Sequence, residues 1–272
     1  MSQVSGHSAR KHPFHIVDPS PWPFVGSVGA FVLAIGAVQY FHDAPPWLML
    51  AGFAIILVTM FGWWRDVVKE AMVDKAHTEK VRLGLRMGMA MFIASEVMFF
   101  VAFFWAYFNN ALMVSPGVTA WPPEGIEPVH AWGIPALNTA ILITSGFTLM
   151  ASASALKKGA RGRQLFFLGL TIGLGVIFLG FQIYEYGLIA FGFQDGIFPS
   201  VFYMATGFHG FHVFVGVCFL GVMFYRSLKG HFAPGREAIG YEASEWYWHF
   251  VDVVWVFLFV VFYWWVGPGV GH

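Results

Sequence analysis

The chain has 272 residues, of which 58% are hydrophobic, 19% aromatic and only 11% charged. A soluble protein carries about 25% charged residues because it must solvate its surface, so this composition excludes an ordinary soluble domain. The formal net charge is zero and there is a single cysteine, Cys218, which argues against a nucleic-acid partner, an intrachain disulfide and a cysteine-rich metal site.

Seven apolar segments follow a predicted cytoplasmic tail of residues 1–21. Each reaches about the 20 apolar residues that a membrane-spanning helix needs, and spans three, five and six are longer. None alternates with the period of two that marks a transmembrane barrel. The sequence therefore predicts an all-α membrane protein with a single polytopic domain over residues 1–272. In chain order the seven predicted spans cover about residues 22–41, 47–64, 83–113, 134–156, 165–191, 198–225 and 246–266.

The distribution of Lys and Arg predicts the orientation of these spans. All 15 of them lie before the first span, in the stretches between spans two and three, four and five, and six and seven, or, for Arg86, at the start of span three. The other connections and the C-terminal end contain none. Because cytoplasmic loops are enriched in Lys and Arg, we expect the N-terminus inside and the C-terminus outside.

Three carboxylates, Glu96, Glu185 and Asp252, fall inside predicted spans. Ionisable groups at membrane depth are costly, so each is a candidate functional residue. One hypothesis is a proton ladder in which the three lie at successive depths. The favoured alternative is that each bonds to a neighbour inside the bundle. Asp252, for example, follows His249 by three residues and so shares its helix face.

Two further intramembrane histidines, His209 and His212, lie one helical turn apart. A shared metal ion would suit that spacing, but no carboxylate lies one turn from either histidine. The repeated Glu-x-x-His pairs of a di-iron bundle are also missing from the sequence. We therefore favour hydrogen bonds between helices as the role of these histidines, with no metal and no cofactor in this chain.

A group of polar residues near the predicted cytoplasmic helix ends is suited to lipid headgroups, because basic side chains there attract anionic lipids. The candidates are Arg65, Lys69, Glu70, His77, Arg226 and Lys229.

Ten motifs, spread almost from end to end, resemble those of the cytochrome c oxidase subunit III family. This family provides the seven-helix accessory subunit of the haem–copper respiratory oxidases. The motifs are PSPWP at 19–23, WWRDV at 63–67, SEVMFF at 95–100, FFWA at 103–106, WPPEGI at 121–126, LNT at 137–139, EY at 185–186, DGI at 195–197, ATGFHGFHV at 205–213 and WYWHFVDVVWVFLF at 246–259.

The resemblance implies a two-helix plus five-helix arrangement, with phospholipids bound in a cleft that Lys69 and Arg226 line. It also implies that Glu96, in the SEV motif, is the carbodiimide-reactive carboxyl of the family. No redox centre is expected in this chain, since haem and copper belong to partner subunits. Relatives often carry a His pair near 153–158, where this chain has ASALKK, so no role of those histidines is carried over.

The expected partners are oxidase subunit I, as the main contact, and subunit II, with cytochrome c reached through the complex. In that complex the family stabilises subunit I and supports proton uptake during oxygen reduction. The expected location is the bacterial cytoplasmic membrane or, alternatively, the mitochondrial inner membrane. A seven-helix receptor and a transporter fit less well, because the predicted N-terminus is inside and no repeated halves are visible.

Overall fold

The computed structural model describes Phe14 and residues 19–74, 77–112, 121–232 and 238–266. Most of the residues in these ranges are helical, and none of them lies in a strand. Seven helices are long and apolar enough to cross a membrane, as the sequence predicts. In chain order they are α1 (Trp22–Phe41), α2 (Trp47–Met72), α3 (Glu79–Leu112), α4 (Ile134–Lys157), α5 (Arg161–Tyr186), α6 (Ile197–Leu228) and α7 (Ile239–Leu258), and a π-helical turn, Phe259–Trp264, continues α7.

Most helices extend beyond the apolar segments that reveal them. Helix α2 continues to Met72, past Arg65 and Lys69, and α7 begins at Ile239, before the acidic residue Glu242. Hydropathy marks only the part of a helix that lipid can surround, so turns with charged residues are not detected. Helix α5 differs in the other direction: it ends at Tyr186, although the apolar composition continues to residue 191.

The chain divides into two compact units, Met1–Leu85 and Arg86–His272. In the first unit, α1 and α2 form an antiparallel hairpin whose backbones approach closely at glycines. A side chain at Gly36 would collide with the backbone of Met49, and one at Gly52 with the backbone of Leu33. Small residues at a crossing let two membrane helices make extensive van der Waals contact, which explains why glycines line this seam.

A side-chain hydrogen bond closes the other end of the same hairpin. The Trp22 indole donates from Nε1 to Asp66 Oδ2 over 2.6 Å, and the indole covers Gly62, which has no room for a side chain. Arg65 lies 3.4 Å from the second carboxylate oxygen of Asp66. The first unit is thus fixed by glycine contacts along its length and one polar contact at its end.

The second unit contains α4 to α7 and most of α3, and its core is aromatic. The largest fully buried side chains are mostly aromatic, among them Trp248, Trp255, Tyr107, Tyr241 and Tyr263. Aromatic side chains bury the most area per residue and orient one another by edge contacts, so they provide a packed interior without charges.

Helix α7 is fastened to α4 by three hydrogen bonds from aromatic donors seven residues apart, a spacing that returns to the same helix face. Each donor finds a hydroxyl on α4, so the polar edge of each ring is satisfied inside the membrane. The bonds are Trp255 Nε1 to Thr139 Oγ1 (2.9 Å), Trp248 Nε1 to Ser145 Oγ (2.9 Å) and the Tyr241 hydroxyl to Ser152 Oγ (2.7 Å).

The basic helix ends of this unit lie together. Arg86 on α3 donates from Nε to both carboxylate oxygens of Glu242 on α7, over 3.1 and 2.9 Å. Arg161, at the start of α5, donates to the Leu228 carbonyl at the end of α6 over 2.7 Å. The segregation of Lys and Arg in the sequence therefore corresponds to one end of this helix bundle. Arg10, Lys11, Lys75 and Arg236 lie outside the described residues.

Candidate functional site

The structure brings Glu96 of α3 and His212 of α6 together as an interhelical pair. The distance from His212 Nε2 to Glu96 Oε2 is 2.8 Å. On the other side of the ring, His212 Nδ1 lies 2.7 Å from the Phe208 carbonyl oxygen. A carbonyl can only accept, so Nδ1 carries a hydrogen. The contact to Glu96 then needs a second hydrogen, which either the imidazole or the carboxyl can hold. The two residues thus share one proton.

Aromatic rings surround this pair. The ring of Phe100 lies 5.1 Å from that of His212, and the rings of Phe99, Tyr247 and Phe250 lie within 6.4 Å. The side chain of His212 is 8% exposed, whereas that of Glu96 is 23% exposed. The imidazole is therefore enclosed by the bundle, and the carboxyl reaches the surface of the second unit.

His209 and His212 lie one turn apart, but their rings contact different partners and do not face a common metal site. Its Nε2 lies 3.1 Å from the Val251 carbonyl of α7, and since a carbonyl can only accept, Nε2 is the donor. Its ring packs between Phe178 and Trp255, with ring centres 5.7 and 5.1 Å away. His209 thus links α6 to α7 from a fully buried position. Among the described residues, no group of three or more His, Cys, Asp and Glu side chains is arranged to hold a metal ion.

His249 and Asp252 form a second pair, within α7. The distance from His249 Nδ1 to Asp252 Oδ2 is 3.3 Å, in agreement with the spacing of three residues. This carboxylate lies against Gly146 of α4, where an added Cβ would be 2.5 Å from Asp252 Oδ2. The absence of a side chain at Gly146 is therefore what makes room for the pair.

Glu185, near the end of α5, is 2% exposed. The Tyr263 hydroxyl of the π-helical turn faces its carboxyl. Even so, neither carboxylate oxygen accepts a hydrogen bond of standard geometry from any described residue. The two tyrosines next to Glu185 in the chain do not donate a hydrogen bond to its carboxyl. Tyr186 pairs with Thr206 over 2.7 Å, and Tyr184 is exposed.

The three intramembrane carboxylates therefore lie in three separate environments. Glu96 contacts α6, Asp252 contacts its own helix and α4, and Glu185 faces Tyr263. Among the described side chains, no hydrogen bond connects any two of the three carboxylates. Glu96 and Asp252 thus have local partners, whereas Glu185 has none of standard hydrogen-bond geometry among the described residues.

The candidate headgroup residues belong to different units. Arg65, Lys69, Glu70 and His77 lie in the first unit, on α2 and just before α3. Arg226 and Lys229 lie in the second, at the end of α6. There the Arg226 guanidinium is 4.7 Å from the centre of the Phe232 ring, and the Lys229 ammonium is 5.5 Å from that of Tyr225. Both cations thus rest on aromatic faces, which orients them.

Sequence reasoning missed several buried polar residues, chiefly Asn138, Gln182 and Tyr263. Each is at most 4% exposed. Their side chains are uncharged at neutral pH, so the sequence does not mark them as candidate sites. Gln182 precedes Glu185 by three residues, so helical spacing could have identified it as a neighbour on the same face. Tyr263 could not be placed, because its direction depends on the π-helical turn.

Comparison with known proteins adds an independent observation. Residues 12–267 match the family described as cytochrome c oxidase subunit III. Cytochrome c oxidase subunit 3 of the liverwort Marchantia polymorpha is 49% identical over 262 residues, which cover 95% of this chain and 98% of that protein. The protein of the same name from the red alga Cyanidium caldarium is 49% identical over 260 residues, or 94% of this chain and 96% of that protein.

A third relative, cytochrome c oxidase subunit 3 of Arabidopsis thaliana, is 47% identical over 262 residues, which cover 95% of this chain and 98% of that protein. The family match of residues 12–267 covers all seven helices, including those that carry the Glu96–His212 pair. The seven apolar helices, the ordered motifs and the near-complete matches agree, and the chain therefore belongs to the cytochrome c oxidase subunit III family.

Proposed function

We propose that this chain is the accessory subunit that stabilises the catalytic subunit of a terminal oxidase and supports its proton uptake, without a redox centre of its own. Membership of the family makes the chain a multi-pass membrane subunit of the respiratory oxidase. The observation that carries the finer proposal is the Glu96–His212 pair. Its contact of 2.8 Å contains one hydrogen, its carboxyl reaches the surface of the second unit, and its imidazole is fixed by the Phe208 carbonyl.

A proton-sharing pair at a subunit surface can take up and release a proton without leaving a bare charge in the membrane. This matters because an unpaired charge at membrane depth is costly. The surrounding aromatic rings hold the imidazole in one orientation, so the exchange takes place at the carboxyl. The pair is thus suited to buffering protons next to a partner that consumes them.

Lipid binding is the second part of the proposal. In the first unit, an apolar groove of about 500 Å³ lies along α1 and α2. Arg65 and Lys69 lie on α2 one and five residues beyond Trp64, which lines this groove. An apolar groove that leads to basic side chains fits the acyl chains and anionic headgroup of a phospholipid. The groove is lined by Gly26, Ala30, Ile56, Thr59, Met60, Trp63, Trp64 and Val67.

The proposed protein partners are oxidase subunit I, as the main contact, and subunit II. These two subunits would carry the haem and copper. Cytochrome c would reach the chain only through the complex. The relatives described above come from eukaryotes, which favours the mitochondrial inner membrane over the bacterial cytoplasmic membrane as the proposed location.

The stabilising role is tested by purifying the oxidase with and without this chain. We expect the same haem spectrum from both preparations and no haem in the isolated chain. The depleted enzyme should begin turnover normally and then lose activity with successive turnovers. Haem loss on removal of the chain, or equally sustained turnover without it, would contradict the proposal.

The lipid role is tested by Lys69→Ala, with Lys158→Ala as the matched control, since both lysines are exposed at helix ends. Lipid mass spectrometry of the purified complex should show that Lys69→Ala lowers the amount of co-purified anionic phospholipid. Lys158→Ala should leave it unchanged. An equal lipid content in the two variants would refute a headgroup role for Lys69.

A further inference from the structure

Four buried side chains near one end of the second unit carry polar atoms without a hydrogen bond of standard geometry to any described residue. They come from three elements: Asn138 from α4, Gln182 and Glu185 from α5, and Tyr263 from the π-helical turn. Their exposed fractions are 0%, 4%, 2% and 0%, respectively. In total, seven side-chain atoms of these residues lack a hydrogen bond of standard geometry to any described group. Buried polar atoms without a partner are rare in proteins, so a cluster of them requires a physical explanation.

Three of the four side chains face one another, and Asn138 lies at the same level of the bundle. Tyr263 interacts with both Gln182 and Glu185. Helices α4 and α5 are antiparallel, with Thr148 and Thr171 bonded across them over 2.8 Å. From that contact, Asn138 lies ten residues back along α4 and Gln182 eleven residues forward along α5. At 1.5 Å per residue these distances are about 15 and about 16 Å, so the two amides lie at the same level.

A second set of contacts places this level of α4 near Tyr263. The neighbouring residue Thr139 accepts a hydrogen bond from Trp255 over 2.9 Å. The ring of Trp255 in turn lies 6.0 Å from that of Tyr263. Tyr263 lies in the π-helical turn, in which Trp265 donates its backbone N–H to the carbonyl of Val260, five residues back, over 2.9 Å. Such turns redirect side chains and often occur at functional sites.

The unsatisfied atoms include donors as well as acceptors. Asn138 Nδ2 and Gln182 Nε2 are donors, Asn138 Oδ1 and Gln182 Oε1 are acceptors, and the Tyr263 hydroxyl can be either. A bound cation could satisfy the oxygens but would leave the amide N–H groups without an acceptor. Water both donates and accepts, and it is the usual partner of buried polar groups that the protein itself leaves unmatched.

We propose that Asn138, Gln182, Glu185 and Tyr263 form a buried hydration site that holds ordered water inside the bundle. A buried water makes about three hydrogen bonds, so the seven unmatched atoms fit roughly two or three water molecules. The site lies within one turn of the end of α5 at Tyr186, far along the helix from the basic end at Arg161. It therefore gives the Glu185 carboxyl a hydrated environment near the face of the bundle that lacks Lys and Arg.

Radiolytic hydroxyl labelling of the intact oxidase complex tests this site, because X-rays produce hydroxyl radicals from water bound next to a buried side chain. Tyr241 is the matched control: it is 2% exposed, and its hydroxyl is already bonded to Ser152 over 2.7 Å. We expect Tyr263 to be oxidised several-fold more than Tyr241. Equal oxidation of the two tyrosines would overturn the proposal.

A variant and a direct image complete the test. Gln182→Met should lower the oxidation of Tyr263, whereas Gln39→Met, the same change at an exposed position of α1, should not. A high-resolution structure of the complex should contain density peaks at about 2.7–3.2 Å from the unmatched atoms. A single peak bound only to oxygens at about 2.0–2.6 Å would identify a metal cation and overturn the assignment to water, as would a site with no density.

Discussion

Glu96 and Glu185 are alike in the sequence, each a carboxylate among apolar residues, yet the structure places them in opposite environments. Glu96 pairs with a histidine over 2.8 Å and reaches the bundle surface. Glu185 is 2% exposed and has no standard hydrogen bond from a described residue. The difference teaches that depth in a span does not define the role of a carboxylate. Glu96 has a histidine partner, with which it forms a hydrogen-bonded pair. Glu185 lies among amides and a hydroxyl without standard hydrogen bonds to described residues, which together form the proposed water site.

Breaking the Glu96–His212 pair should have the largest effect. His212→Leu leaves the Glu96 carboxyl, whose side chain is 23% exposed, without its partner, and loss of a hydrogen bond to a charged group costs about 1.5–3 kcal/mol. Thermal or denaturant release of this subunit from the complex would measure the loss. The double variant His212→Leu with Glu96→Leu should recover most of it, since no charge is then left behind. Additive losses would mean that the two residues act independently.

A change at Gly146 should have the next largest effect and act on the other pair. In Gly146→Val the new side chain meets Asp252, whose displacement separates it from His249, and overpacking of this kind costs about 1–3 kcal/mol. Gly173→Val is the matched control, because a Cβ there meets nothing within 4 Å. Stability of the subunit in the complex should fall for the first variant and change little for the second. Similar losses would refute the claim that Gly146 makes room for the Asp252 carboxylate.

Removal of one hydroxyl that joins α4 to α7 should destabilise the subunit by a smaller amount. Ser145→Ala leaves the buried Trp248 N–H without an acceptor, at a cost of about 1–2 kcal/mol. The adjacent Thr144 bonds only to Ala140 of its own helix, over 2.7 Å, and is exposed to the surroundings. Thr144→Ala should therefore change stability by less than about 0.5 kcal/mol. A larger loss for Thr144→Ala than for Ser145→Ala would contradict this account of the α4–α7 contact.

Features of the fold that depend on residues close together in the sequence could be predicted, whereas features that depend on packing between distant residues could not. The seven helices follow from local hydropathy, and the start of α1 at Trp22 and of α2 at Trp47 follow from the prolines next to them. The His249–Asp252 pair follows from a spacing of three residues. The end of α5 at Tyr186 could not be predicted, because the residues beyond it are as apolar as those within it. The π-helical turn could not be predicted either, since its sequence suits an ordinary helix.

The sequence identifies the residues of the candidate site, but not which of them pair with one another. Glu96 and His212 were both identified as intramembrane polar groups. Their pairing, however, joins positions 116 residues apart, and nothing in the local sequence indicates which helices meet. Asn138, Gln182 and Tyr263 were missed because amides and hydroxyls have no strong hydropathy or charge signal. Their significance comes from being buried together without partners, which is a property of the packing.

Carbodiimide labelling of the intact complex, mapped by mass spectrometry, tests the contrast between the two glutamates most directly. A bulky carbodiimide can reach a carboxyl at the bundle surface but not one enclosed with a few water molecules. The account predicts modification of Glu96 and none of Glu185. Glu96→Ala should abolish the labelling while assembly and haem content remain intact. Modification of Glu185 at the same rate as Glu96, or loss of the whole complex in Glu96→Ala, would contradict it.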